Sequence, residues 1–135
     1  MNTQAAVAPA VRRLVAFLET GQADPALFTE DAFTDFTMPT WRIQAAGRAD
    51  SVGLRQRGHP GPSAVVSQRV LPTPEGFVME LEERWTDAKD QWYCRECIVA
   101  KLRGEAICEL SVYCTGDWTS QRQADHAQAV ALLRP

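Results

Sequence analysis

Apolar and polar positions follow a helical period in the first third of the chain and a strand period after it. Val11, Leu14, Val15 and Leu18 recur at helical spacing behind Pro9, with Gly21 just beyond, and predict a first helix with proline near its first turn. Asp24-Pro25 reads as the cap and first-turn proline of a short second helix through Leu27 and Phe28. Aromatics and threonines over 32–38 predict a short strand ended by Pro39. Val52 and Leu54 suggest a brief helix over 49–57, which the run from Gly58 to Pro62 must break.

The period then changes. Residues 64–71, 77–85, 91–102 and 107–115 read as four strands, separated by short turn segments around Pro72–Gly76, Asp87–Asp90 and Arg103–Ala106. Connections this short force antiparallel neighbours. Asp117 is the expected cap of a last helix over 118–133, with Val130 and Leu133 on one side. Helices followed by a meander of strands predict one α+β domain over residues 1–135, with helices on one face of a curved sheet.

Side chains alternate across a strand, so parity sorts them into faces. Phe77, Met79, Leu81, Glu83 and Trp85 share one face. Closing the Asp87–Asp90 turn sets Trp85 near Trp92, Leu81 opposite Glu96 and Met79 opposite Ile98. Cys94, Ala100 and Leu102 then join the inner face, with Cys108, Leu110, Val112 and Cys114 from the last strand. Outside, Glu82 meets Arg95. Cys94 and Cys97 resemble a metal clasp or redox pair, but three positions apart on a strand they point to opposite faces. The CxxC is therefore read as structural, and no metal is expected.

Two carboxylates fall on that apolar face. A carboxylate in apolar surroundings is costly to ionise, so Glu96 and Glu83 are candidate proton-transfer groups. Alternatively, either could reach water at the open end of the sheet or pair with Arg42, Arg48 or Arg55. Asp35, in mid-strand, is a third candidate, and its face depends on a register the sequence does not fix. His59 is read as a general base at a pocket rim or as an exposed loop histidine. Trp41, Trp85 and Trp92 could wall a pocket with Met79, Leu81, Ile98, Leu110 and Val112, or serve only as packing. Asp117 is read as a helix cap rather than a catalyst.

Composition narrows the classes. The 135 residues carry a net charge of -3, without the basic stripe of a nucleic-acid binder. No apolar run reaches the roughly 18 residues of a membrane span, and MNTQAAVAPA lacks a signal-peptide pattern. A cytoplasmic protein with reduced cysteines is the expectation.

ALFTEDAFTDF followed by a proline, Gly47-Arg-Ala-Asp-Ser-Val52, FVMELEERW and RGEAICELSVY together resemble the nuclear transport factor 2-like, or SnoaL-like, superfamily. The resemblance covers nearly the whole chain. It implies a strongly curved antiparallel sheet forming a cone, N-terminal helices packed on its concave face, a C-terminal helix, and homodimers through the outer sheet face. Its enzymes include isomerases, cyclases, dehydratases and epoxide hydrolases, beside non-catalytic modules. The isomerases' base maps to Phe36 here and their acidic donor to Ile98, so their active site is not reproduced. The expectation is a pocket protein performing cofactor-independent acid–base catalysis on a small apolar metabolite. The alternative is a non-catalytic ligand-binding or dimeric interaction module.

Overall fold

The computed structural model describes residues 2–135. Helix α1 (Thr3–Thr20) begins before Pro9, because the Asn2 side chain accepts the Ala5 N–H at 2.8 Å and caps the helix there. Pro9 is therefore interior. Gly21, at φ 76°, ends the helix in the left-handed conformation that glycine adopts without penalty, and its N–H bonds back to Phe17. The stripe from Ala6 and Val7 to Phe17 and Leu18 is buried.

The second helix expected at Asp24-Pro25 is a turn instead. Asp24 accepts the N–H groups of Ala26, at its side chain, and Leu27, at its carbonyl; the chain then enters β1 (Phe28–Met38) directly. A hairpin leads to β2 (Trp41–Ala46), a strand the sequence did not announce, and then to α2 (Arg48–Gly58). The strands β3 (Ala64–Pro72), β4 (Gly76–Thr86), β5 (Gln91–Arg103) and β6 (Ala106–Cys114) match the four-strand meander within a residue or two. Helix α3 (Ser120–Ala129) is capped by Thr119, not Asp117, through the Arg122 N–H at 3.1 Å. It stops before Val130 and Leu133, which are exposed.

The six strands form one curved sheet in the order β2-β1-β6-β5-β4-β3, antiparallel except where β1 runs parallel to β6. That one parallel pairing joins the N-terminal hairpin to the meander. Gly76 opens β4 where a Cβ would collide with the Ala100 carbonyl, so only glycine fits. Helix α1 lies across β3, β4 and β5, and α2 across β1 and β2. Their shared core joins Leu14 and Phe17 to Met79, Leu81 and Ile98. Buried Thr34 donates to Ser51 at 2.9 Å and ties β1 to α2. Helix α3 sits instead on the outer side, with Trp118 against Tyr93 and Gln123 accepting from Arg84. No helix among the described residues is long and apolar enough to cross a membrane.

The expected register is the observed one: Trp85 faces Trp92, Leu81 faces Glu96 and Met79 faces Ile98. Alternate residues of β5 from Cys94 to Leu102 are buried, so parity sorted the two faces of the sheet.

Candidate functional site

Between the two N-terminal helices and the inner faces of β1, β5 and β6 lies a cavity of about 140 Å³. Its apolar walls include Leu14, Phe17, Phe28, Phe36, Ile98 and Leu110. A dry cavity of this size admits a single six-membered ring. Its polar groups are few: Thr34 and Ser51, already bonded to each other, and Arg55, His59, Cys94, Glu96, Cys114 and Asp117.

Glu83 and Glu96 project from adjacent strands onto the same face, on a diagonal of the β4–β5 ladder. Glu83 is fully enclosed. Arg55, from α2, grips it with two hydrogen bonds, Nη2 to Oε1 at 2.6 Å and Nη1 to Oε2 at 3.1 Å, and Ser63 Oγ donates to Oε1 at 2.8 Å. Arg55 also donates to the Leu18 carbonyl at the end of α1. Burial alone would raise the Glu83 pKa. Hydrogen bonds from Glu96, Arg55 and Ser63, with the Arg55 charge, outweigh it and hold Glu83 at about 2.

Glu96 goes the other way. Burial raises its pKa well above the usual value, and the hydrogen bond to Glu83 and the charge of Glu83 add to the rise. The two shifts run in opposite directions and favour a proton on Glu96 over one on Glu83. Cys94 donates to Glu96 Oε1 at 3.3 Å. Two carboxyls side by side, one neutral and one anionic, make a proton donor with a built-in counter-charge.

The thiols extend this cluster. Cys94 is raised, by its hydrogen bond to Cys114, by burial and by Glu96, while Cys114 is lowered by the Cys94 bond against burial and by the Gly116 N–H, which donates to it at 3.4 Å. Donor atoms of Cys94, Glu96 and Cys114 lie within 4.8 Å of one another, the grouping among the described residues with the spacing of a metal cup. A dication there would have to displace the Cys94 and Glu96 protons beside the Arg55 cation, so the cluster is better suited to holding protons. Cys97 lies on the opposite face of β5, as parity required, and all four cysteines are free. At the mouth Asp117 is exposed on one side, and burial on the other, with the Glu83 charge, raises its pKa. His59 is half-buried with its ring 4.0 Å from that of Trp85; neither ring nitrogen has a hydrogen-bond partner among the described residues, and burial and the Arg55 charge lower its pKa.

Of the residues singled out in the sequence, Glu96, His59, Ile98, Leu110 and Val112 line this cavity, and Glu83 lies directly behind Glu96. Asp35 does not. Thr34 and Phe36 take the inward positions of β1, so Asp35 points outward, where Arg42 binds it at 2.6 and 2.9 Å and Gln44 at 3.3 Å. Trp41 is 65% exposed at the sheet edge. Met79 and Leu81 are packed under α1 in the core. Trp85 and Trp92 stack at 6.4 Å beyond the cavity, with Trp85 reaching only its rim through His59. Arg55 stood out in the sequence only as one possible partner, and nothing there marked Ser63 or placed Asp117 at the cavity. Only the parity of Cys94 and Cys114 signalled their place on the inner face.

No family model matches the chain, and no curated protein does. Solved structures do. An NTF2-like protein from Anabaena variabilis is 19% identical with a TM-score of 0.72, over 86% of this chain and 91% of that one. SalBIII, an epoxide hydrolase/cyclase-like enzyme with a role in pyran ring formation in the polyether salinomycin, gives 16% and 0.69 over 87% of this chain and all of its own (100%). An epoxide hydrolase from M. tuberculosis, described as LEH-like, gives 14% and 0.60 over 83% and 84%. At such identities the likeness establishes the fold, an NTF2-like and SnoaL-like α+β cone that is not a closed barrel.

Proposed function

We propose that this chain, with its NTF2-like fold, catalyses proton transfer on a small, largely apolar cyclic metabolite without a cofactor, as an isomerase, cyclase or dehydratase does. The observation that carries the reading is a buried carboxyl, Glu96, facing a one-ring apolar cavity, its pKa raised by burial and by the Arg55-paired Glu83 behind it. Glu96 delivers a proton to a carbonyl or ether oxygen as negative charge develops there. Asp117, at the mouth of the same cavity and with no hydrogen-bond partner of its own, is the base that takes a proton from carbon. Phe17, Phe28 and Ile98 exclude water and orient the ring. SalBIII, a neighbour by fold, is itself described as epoxide hydrolase/cyclase-like.

The test needs no knowledge of the natural product. Cyclohexanone and its methyl derivatives are incubated with the protein in D2O, and exchange at the carbon next to the carbonyl is followed by NMR. Exchange above the buffer rate is expected, falling about a hundredfold or more in Asp117→Asn. Saturable thermal stabilisation by these ketones without any exchange would instead mark a non-catalytic binding pocket.

The outer sheet face carries exposed Phe33, Val99 and Tyr113 on the neighbouring strands β1, β5 and β6. We read it as a homodimer surface. Light scattering should give twice the chain mass for the native protein and the single-chain mass for Val99→Asp. A native protein of single-chain mass would remove the dimer.

A further inference from the structure

Cys114 is a thiol that the acid–base reading leaves unused although it stands in the same wall as the proposed acid. Its Sγ lines the cavity beside Glu96, and the Sγ and carboxyl oxygen belong to a group whose donor atoms all lie within 4.8 Å. A donor points at that sulfur, the Gly116 N–H at 3.4 Å. The single proton of Cys94 is directed at Glu96, at 3.3 Å, and that thiol is buried. The remaining thiols are placed differently. Cys97 is on the outer face of β5, and Cys108 is buried with its sulfur on the Lys101 carbonyl. The cavity thus presents a sulfur with negative charge favoured on it and a proton donor only a few bond lengths away.

We propose that the cavity takes α,β-unsaturated carbonyl compounds, and that Cys114 adds to them as a nucleophile while Glu96 protonates the carbonyl oxygen. The Cys114 proton passes to Asp117 at the mouth of the same cavity, the sulfur electron pair so freed forms the bond to the β-carbon, the C=C π pair moves to make a C=C next to the oxygen, and the carbonyl π pair takes the Glu96 proton. The enol then becomes the saturated ketone by accepting at carbon the proton that Cys114 gave up and losing the one on oxygen, which returns to Glu96. The net change is addition of S–H across the double bond. Reversal restores the thiol and the alkene, and because the former double bond is single in the adduct, rotation about it exchanges alkene geometry in an acyclic substrate. A β-carbon and a carbonyl oxygen are three bonds apart, which suits the short separation of Cys114 from Glu96.

This inference rests on Glu96 as proton donor, and one comparison separates the two claims. The full chain is treated at neutral pH with cyclohex-2-enone, whose addition needs protonation, and with iodoacetamide, whose alkylation does not. Intact mass and peptide mapping locate and time the adducts. The expected result is a first adduct at Cys114 with both reagents, lost in Cys114→Ser. Glu96→Gln should slow the enone by about a hundredfold and leave iodoacetamide unchanged. First modification at Cys97, or no reaction at Cys114 with either reagent, overturns the nucleophile and leaves the Glu96 acid standing. Reaction at Cys114 with an enone rate indifferent to Glu96→Gln overturns the proposal through its acid.

Discussion

Arg55→Leu is expected to lower stability by about 3–5 kcal/mol in urea unfolding at neutral pH, since it leaves the Glu83 charge buried without its partner. Both members of the pair are deep: the Arg55 side chain is 14% exposed and that of Glu83 not at all. The substitution also removes the bond to the Leu18 carbonyl that ties α2 to the end of α1. The pH dependence identifies the cause. Glu83 has its ordinary value at 4.5 and is held at about 2 in the folded protein. A depressed folded value contributes stability that is present above 4.5 and is lost as pH falls towards 2. Without Arg55, burial raises Glu83 against only the Glu96 and Ser63 hydrogen bonds, so protonation relieves the unpaired charge in the variant at a higher pH than in wild type. The gap between wild type and variant should therefore narrow below about pH 4.5. Adding Glu83→Leu to Arg55→Leu should recover most of the loss, because an apolar pair of similar bulk needs no counter-charge. A loss below about 1 kcal/mol, unchanged with pH, would mean that the pair behaves as a solvated surface bridge.

The faces of the meander were legible because they depend on local facts. Strand side chains alternate, and the tight Asp87–Asp90 turn leaves one sensible register for β4 and β5, so Glu83 and Glu96 could be placed together before any coordinates. What surrounds them was not legible. Arg55 and Ser63 reach Glu83 across 28 and 20 residues of chain, and nothing in their local sequence marks them. Asp35 was undecided because its strand is oriented by the parallel pairing with β6, a contact between segments far apart in the sequence. Strand β2 escaped notice because it is an edge strand with only Ala45 buried, so it carries no periodic apolar signal. The tryptophans misled in a different way. Trp85 and Trp92 do share the parity of the inner face, but they stand near the Asp87–Asp90 turn, past the end of the cavity. Parity gives direction and not depth. At Asp117 a helix cap and an acid lining the cavity look alike in sequence, and Thr119, two residues later, is the side chain that caps α3.

Glu96→Gln should reduce turnover by about 10²–10⁴ while leaving ligand affinity and fold intact. A glutamine amide is the isostere of a neutral carboxyl and can still donate to Glu83, but it has no proton to give. The same substitution reports on the resting protonation state through stability. The Glu96 folded value lies well above its ordinary 4.5. Folding therefore takes up a proton above pH 4.5, and the stability this group contributes is full below 4.5 and is lost as pH rises towards the folded value, at up to about 1.4 kcal/mol per pH unit. His59 acts oppositely: its folded value is depressed, so below its ordinary 6.5 it makes stability rise with pH. Asp117, raised like Glu96, slopes with it. Both groups are present in wild type and variant and cancel in the difference. Wild-type stability minus that of Glu96→Gln should then fall as pH rises from about 4.5 to 7. Parallel curves would show that Glu96 is ionised in the folded protein, and a carboxylate already without its proton could not be the acid.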